Sequence, residues 1–281
     1  MQMTKKGQSP APSNEDLALL LNKVVLLARA AGAAILEVYS SEDFGETSKA
    51  DNSPLTLADL AAHNCIVAGL SKFESGYPIL SEEDANIPYA ERSKWTQFWL
   101  VDPLDGTKEF LKRNGEFTVN IALVDNGVPV LGVVYAPVLD VCYYAARGTG
   151  AFVQRGDSVA QSIKAQAYTA DAAIKVVASR SHSDARTEAL LTKLGNHQCI
   201  SMGSSLKLCL VAEGAAHFYP RLGPTMEWDT AAAHAVVNEA GGMVCDVAEQ
   251  PLRYNKEDLH NPEFLVLAKT NTVLLNLLKD R

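Results

Sequence analysis

The sequence predicts an α+β first half joined to an α/β second half, and three observations carry that prediction. Two apolar-rich helical stretches open the chain, a run of strands punctuated by hairpin signals follows, and from Lys175 short strands alternate with helices. The composition agrees with a folded enzyme-sized core, with 281 residues of which 47% are hydrophobic. The expected division is a disordered tail over residues 1–14, a first half over 15–146 and a second half over 147–281.

The first helix begins at Ser13-Asn14-Glu15-Asp16, which has the pattern of a capping box, and its apolar periodicity runs to residue 39. Its apolar face is broad, which predicts a helix held between layers. Residues 40–52 are polar, contain Gly45, and read as a loop or irregular hairpin. Pro54-Leu55-Thr56-Leu57-Ala58-Asp59 leads into a second helix ending near residue 73. Thr56 and Asp59 have the spacing of a helix cap and its third residue, and capping is the reading that spacing favours. Residues 78–80 form a short strand that runs into Ser81-Glu82-Glu83-Asp84. Three consecutive acids are ordinarily a solvated charge run, but the apolar strand before them also suits Glu82 at a sheet's mouth.

The centre of the first half is Phe98-Trp99-Leu100-Val101-Asp102-Pro103-Leu104-Asp105-Gly106-Thr107. The apolar run 98–101 reads as a buried strand that stops at Asp102, since Pro103 cannot donate to a sheet ladder. Asp102 and Asp105 then share a tight loop. Two carboxylates about 4 Å apart repel by roughly 4 kcal/mol at an effective dielectric of about 20. A hard divalent cation would remove that repulsion, with the Leu104 carbonyl available as a further oxygen ligand. Gly106 and Thr107 open a short helix over 108–111, whose free N–H groups suit a phosphate. A turn with an Asx cap is the ordinary alternative for a lone D-x-x-D.

Residues 116–125 alternate as a strand, Asp125-Asn126-Gly127 signals a hairpin, and 130–136, 141–146 and 151–155 continue a mostly antiparallel meander. In the second half 175–178, 199–202, 216–219 and 243–246 are strands, with helices over 184–194, 205–212 and 230–240. Ser204 or Ser205 is placed to cap one helix, Asp229 another, and Gly241-Gly242 to end the last. A strand over 265–268 and a helix over 272–279 close the chain.

The net charge of −8 and a pI near 5.3 argue against a nucleic-acid or anionic-membrane surface. Five widely spaced cysteines without a C-x-x-C pair suit buried free thiols in a reducing compartment. Asn22, Lys23 and Arg29 interrupt the longest apolar stretch, so no transmembrane segment is expected, and the polar start carries no signal core. A cytoplasmic enzyme follows, with a peripheral position at the inner membrane left open.

Asp59, Glu82, Asp102, Asp105 and Asp229 all stand at element ends. Each has the plain explanation given above, and spacing does not show that they converge. If they do, an oxygen-only set binds Mg²⁺, and paired ions suit an in-line displacement at phosphorus.

Leu80-Ser81-Glu82-Glu83, the block from Trp99 to Thr107, and Glu227-Trp228-Asp229-Thr230-Ala231-Ala232 together resemble the inositol monophosphatase superfamily of Mg²⁺-dependent, Li⁺-sensitive phosphomonoesterases. Thr107-Lys108-Glu109-Phe110, Gly203-Ser204-Ser205-Leu206-Lys207 and Tyr219-Pro220-Arg221-Leu222-Gly223-Pro224-Thr225 are similar to its bacterial CysQ-type branch, the 3′(2′),5′-bisphosphate nucleotidases. The resemblance spans residues 15–269. It implies a layered αβαβα sandwich and two or three Mg²⁺ ions held by Glu82, Asp102, the Leu104 carbonyl, Asp105 and Asp229. It implies Asp59 and Thr107 as the pair that activates water, with Glu83 a supporting acid behind Glu82. The amides of Gly106 and Thr107 would hold the scissile phosphate. Lys108, Ser204, Lys207 and Arg221 would contact the nucleotide, with His182 a weaker choice for its nucleoside end. The implied reaction removes the 3′-phosphate of adenosine 3′,5′-bisphosphate, with a place in sulfur assimilation and nucleotide recycling. An inositol-monophosphate or broad sugar-phosphate phosphatase is the alternative within enzymes, and a phosphate sensor without turnover the alternative outside them. The intact Asp59/Thr107 pair argues against the sensor. Small nucleotides, not nucleic-acid polymers, are the expected partners, and monomer and homodimer both stay open.

Overall fold

The computed structural model describes residues 11–41, 45, 47–48, 54–169, 172–179, 185–271 and 274. Residues 1–10, His182 and nearly all of the expected 272–279 helix lie outside them. The chain opens with α1 (Asn14–Tyr39), and Ser13 and Asp16 form the capping box the sequence predicts. A two-residue pair of strands, β1 (Thr47–Ser48) and β2 (Pro54–Leu55), leads into α2 (Leu57–Leu70). This helix stops short of residue 73.

Next come β3 (Ile79–Ser81), a turn of helix α3 (Tyr89–Arg92), β4 (Gln97–Asp105) and α4 (Thr107–Leu111). The meander is β5 (Thr118–Asp125), β6 (Val128–Ala136), β7 (Val141–Ala146), β8 (Gly150–Arg155) and β9 (Gln161–Ile163). Asn126 and Gly127 both have positive φ, 51° and 74°, as a two-residue hairpin loop requires. The second half runs β10 (Ile174–Ser179), α5 (Ala185–Leu194), β11 (His197–Met202), α6 (Leu206–Ala212), β12 (Phe218–Arg221), α7 (Glu227–Glu239), β13 (Gly242–Asp246) and β14 (Phe264–Ala268).

Among the described residues there are two large sheets, ordered β3-β4-β5-β6-β7-β8-β9 and β11-β10-β12-β14-β13. The first is antiparallel except for β3 beside β4, and the second is mixed. The expected division at 146/147 cuts through the first sheet, because β8 and β9 extend its meander to Ile163.

Side-chain alternation then builds the layers. Trp99, Val101, Val119, Ile121 and Leu123 pack with α1 and α2, whereas Phe98, Leu100, Ala122 and Val124 pack with α6 and α7. Leu190, Leu191 and Leu194 of α5 cover the far face of the second sheet against Val176 and Phe218. The order is α1/α2, sheet, α6/α7, sheet, α5: the layered αβαβα sandwich. Gly132 lets α7 lie directly on β6, since a Cβ there would come within 2.0 Å of the Ala232 carbonyl oxygen.

Two further expectations change. The first helix is an outer helix, not one between layers. Leu17, Leu21, Val24, Ala28 and Ile35 are buried, but Leu19 and Leu26 are 68% and 69% exposed. By length and composition α1 is apolar enough to cross a membrane, with mean hydropathy 1.8 over 18 residues, yet its inner face is packed on the sheet. The cysteines are all free, but Cys199 is exposed because β11 is an edge strand.

Candidate active site

The sheet does not stop at Asp102. Strand β4 continues to Asp105 through a bulge, with Asp102 opposite Asn120 and Asp105 opposite Thr118. Pro103 ends nothing because it sits in the bulge, where no ladder N–H is required. The bulge holds the two carboxylates close, and the Leu104 N–H donates to Asp102 Oδ1 at 3.0 Å. Gly106 follows at φ 94°, a left-handed conformation that an L side chain resists, and it caps α4. Thr107 is thereby the first residue of the helix.

Asp59 reaches this place from α2. It does cap the helix, since its Oδ2 accepts from Thr56 N at 2.8 Å and from Thr56 Oγ1 at 2.6 Å. Its other oxygen faces outward: Thr107 Oγ1 lies 3.4 Å from Oδ1, and also 3.5 Å from the Leu104 carbonyl oxygen. Glu82 follows β3, where its N–H donates to Val101 O at 3.0 Å and Ser81 bridges Asp84 across a tight turn. Glu83 is partly exposed in that turn.

Asp229 enters from α7. The helix starts at Glu227 with Met226 as its cap residue, so Asp229 is the third helical residue and not the cap itself. Its Oδ2 accepts from Met226 N at 2.9 Å, closing the first turn from inside. Ser205 is not a side-chain cap either. Its N–H and hydroxyl lie 2.6 and 2.7 Å from Asp105 Oδ2, its hydroxyl is 2.6 Å from Asp229 O, and Asn120 Nδ2 donates to it at 2.8 Å.

These carboxylates share one field. Burial, then Glu82, Asp105 and Asp229, push the Asp102 carboxyl well above the usual range. Burial, then Asp105, does the same to Asp229. Asp105 is raised by burial and drawn back by Lys207 and Ser205. Asp105 and Asp229 are engaged by Ser205 and Met226 N–H, and among the described residues no three acidic, histidine or cysteine side chains stand in ligating geometry. The donor set still fits a hard cation: all oxygen, crowded, and carrying more negative charge than Lys207 offsets.

A cavity of 360 Å³ opens from Asp105, Gly106, Thr107 and Asp229 towards Lys108, Ser204, Lys207 and Arg221. Lys207 is buried, its Nζ donates to Ser204 O at 2.5 Å, and burial lowers its ammonium pKa while Asp105 raises it. The Arg221 Nη2 donates to Pro224 O at 2.9 Å, and its buried Nε has no hydrogen-bond partner. A buried guanidinium N–H without a partner is costly, and an anion in the cavity satisfies it. Lys108 is exposed at the rim. Asn120 and the buried Glu109 are further site residues, and Ser205, which the sequence places as a helix cap, is a third. Glu109 lies in the Thr107-Lys108-Glu109-Phe110 block, but nothing local marks Asn120.

A model of the inositol monophosphatase family matches residues 16–279. The 3′(2′),5′-bisphosphate nucleotidase CysQ of Escherichia coli (strain K12) is 52% identical over 250 residues, covering 88% of this chain and 99% of that protein. The CysQ of Haemophilus influenzae is 38% identical over 250 residues, covering 88% and 92%. The crystal structure of CysQ from Bacteroides thetaiotaomicron superposes with a TM-score of 0.80 at 46% identity, covering 91% and 98%. An inositol monophosphatase from Anabaena superposes at 0.73 with 26% identity, covering 95% and 97%. A family match over nearly the whole chain, with identity and superposition of this extent, has one reading: the chain belongs to the inositol monophosphatase family.

Proposed function

We propose that this chain is a 3′(2′),5′-bisphosphate nucleotidase, removing the 3′-phosphate of adenosine 3′,5′-bisphosphate to give AMP and phosphate. One observation carries the reading: a single cavity joins the Asp105 and Asp229 carboxylates to Lys207 and the unpartnered Arg221 Nε. A substrate with two phosphates spans both ends. Phosphatases of this family generally depend on Mg²⁺, and Glu82, Asp102, Asp105, Asp229 and the Leu104 carbonyl would hold it. The chemistry Mg²⁺ supplies when bound is Lewis-acid stabilisation of charge on the phosphoryl group and the leaving oxygen.

The chain's own residues do the rest. The N–H groups of Gly106 and Thr107, at the start of α4, hold the scissile phosphate. Asp59 Oδ1 takes the proton of the attacking water, and Thr107 Oγ1 keeps that carboxylate and the water aligned. As the water oxygen bonds to phosphorus, the bond from phosphorus to the ribose 3′ oxygen breaks, and that oxygen takes a proton from solvent to leave as the 3′-hydroxyl of AMP. Lys207 and Arg221 hold the 5′-phosphate, with Ser204 beside them, and that contact is the same before and during the reaction. Glu83 supports Glu82 from the turn after β3.

Phosphate release over a substrate panel tests the assignment. Adenosine 3′,5′-bisphosphate should exceed 3′-AMP and inositol 1-phosphate in kcat/KM, and 5′-AMP should be inert. A charge-assisted contact is worth roughly 1.5–3 kcal/mol, or about 10–150-fold in affinity. Arg221→Ala and Lys207→Met should therefore narrow the preference mainly through KM. Equal efficiency on inositol 1-phosphate would move the assignment to an inositol-phosphate phosphatase.

A further inference from the structure

A second cavity, of 520 Å³, lies against the C-terminal half of α7, walled by the β5–β6 hairpin, the β7–β8 turn and residues 251–253. Its floor is apolar, with Val130, Val244 and Leu252 all buried. Its rim carries charge of both signs: both acids and Arg147 are engaged, and two further basic residues are not in ion pairs among the described residues. Asp125 Oδ1 accepts from Gln97 Nε2 at 2.9 Å and Asn126 Nδ2 at 2.8 Å, and its Oδ2 is 3.5 Å from Arg147. Glu239 Oε2 accepts the N–H groups of Gly148 at 3.0 Å and Gly150 at 3.2 Å. Arg253 and Lys269 are exposed at the same rim, and neither is in an ion pair among the described residues. In a chain of net charge −8, this is a recess where an apolar body and an anionic group are both rewarded.

The recess is also wired to the catalytic end of α7. Asn238 on its wall and Asp229 are nine residues apart on one helix, about 14 Å. A buried hydrogen-bond chain follows the same path. His234 Nδ1, in the cavity wall, is 2.8 Å from Tyr254 Oη, which is 3.3 Å from Thr230 Oγ1. Asn261 Nδ2 donates to Thr230 Oγ1 at 3.1 Å and to Met226 O at 2.7 Å, and Met226 N–H holds Asp229.

We propose that this cavity is a second binding site, taking a small organic anion with one aromatic or heteroaromatic ring and one carboxylate, sulfate or phosphate group, and that its occupancy is felt at the Asp229 end of α7. The ring lies over Val130, Val244 and Leu252, and the anionic group between Arg253 and Lys269. Coupling runs through one helix and this hydrogen-bonded chain, so a shift at His234 is transmitted to the cap of the catalytic turn.

The probe is 4-iodobenzoate, whose iodine is located by anomalous scattering in crystals of the full chain. The expected result is an iodine site in this cavity, and a calorimetric affinity that falls at least tenfold in the double variant Arg253→Ser, Lys269→Ser. Neither residue belongs to the catalytic cavity, so the variant should keep its basal phosphatase activity. Saturating probe should change wild-type kcat or KM at least twofold and leave the variant unchanged. An empty cavity, iodine only beside Arg221 and Lys207, or equal affinity in wild type and variant would overturn the site. Binding in the cavity with no change in turnover would overturn the coupling. The crystallographic and calorimetric arms do not use the phosphatase reaction, so they stand or fall apart from the substrate assignment.

Discussion

Ser205 meets Asp105 twice at one carboxylate oxygen, with its N–H at 2.6 Å and its hydroxyl at 2.7 Å. The same hydroxyl is 2.6 Å from the Asp229 carbonyl and accepts a hydrogen bond from Asn120 Nδ2, so one small side chain links β4, β5, α6 and α7. Ser205→Ala keeps the N–H and removes the hydroxyl. A hydrogen bond to a charged group contributes about 1.5–3 kcal/mol, so Asp105 loses its fixed orientation. The Mg²⁺ concentration for half-maximal activity should rise about tenfold or more, with kcat at saturating Mg²⁺ reduced less. A Mg²⁺ titration that matches wild type would show that the hydroxyl has no part in positioning Asp105.

Asp59 caps α2 with one oxygen and faces Thr107 with the other. Asp59→Asn keeps an acceptor for Thr56, so the loss of stability should be at most about 1 kcal/mol. Turnover should fall by roughly 10² or more, the scale of general-base catalysis. Thermal unfolding and kcat measured on the same preparation separate the two roles. A folded variant with near-normal kcat would leave Asp59 a cap and nothing more.

Metal removal is read most directly through stability. Asp102 and Asp229 are pushed well up by burial and by their carboxylate neighbours. A bound divalent cation relieves that repulsion and stabilises the folded chain by mass action. Chelation should abolish phosphate release, and Mg²⁺ should restore it and raise Tm in proportion to the logarithm of its concentration. Ca²⁺, with its looser shell, should inhibit, and millimolar Li⁺ should inhibit at limiting Mg²⁺. Turnover that survives exhaustive chelation would remove the metal from the reaction.

His234 gives a stability signal with a defined pH window. Its imidazole is buried, bonded to Tyr254, and lowered from 6.5 to about 3 chiefly by desolvation. The unfolded chain therefore binds a proton below pH 6.5 that the folded chain refuses. The stabilisation is fully present above pH 6.5 and is lost as pH falls from there towards 3. One such group costs about 1.4 kcal/mol per pH unit below that point, or about 2 kcal/mol by pH 5. The carboxylates of the active site move the other way, so the comparison is with His234→Gln. Denaturant unfolding at pH 7.5 and 5 should show the variant losing less than wild type. Identical losses would mean that His234 is protonated in place.

Much of the architecture is legible because its signals are local. The Ser13 and Thr56 capping boxes, the Asn126-Gly127 turn and the Gly241 stop each involve residues within four positions, and each stands where the sequence places it. The switch from strand meander to alternating strands and helices is likewise a property of neighbouring residues. So is the presence of Asp59, Glu82, Asp102, Asp105 and Asp229 at or near element ends.

What decided the site was the partner each residue met across the fold. Pro103 reads as the end of a strand, yet Thr118 and Asn120 of β5 hold the ladder on either side of it and turn the break into a bulge. Asp229 reads as a cap, yet the Met226 N–H and the Leu259 carbonyl that receives Glu227 N–H start the helix earlier. The broad apolar face of α1 predicts a helix held between layers, but the helix has the sheet and α2 on one side only, so Leu19 and Leu26 stay in solvent. Ser205 reads as a helix cap, yet its side chain turns instead to Asp105, a hundred positions away at the end of β4. Periodicity and turn chemistry act through adjacent residues, so the sequence by itself determined the elements and the acids at their ends. Convergence of those acids into one electrostatic field is set by the packing of α2, β3, β4 and α7, which only the tertiary structure supplies.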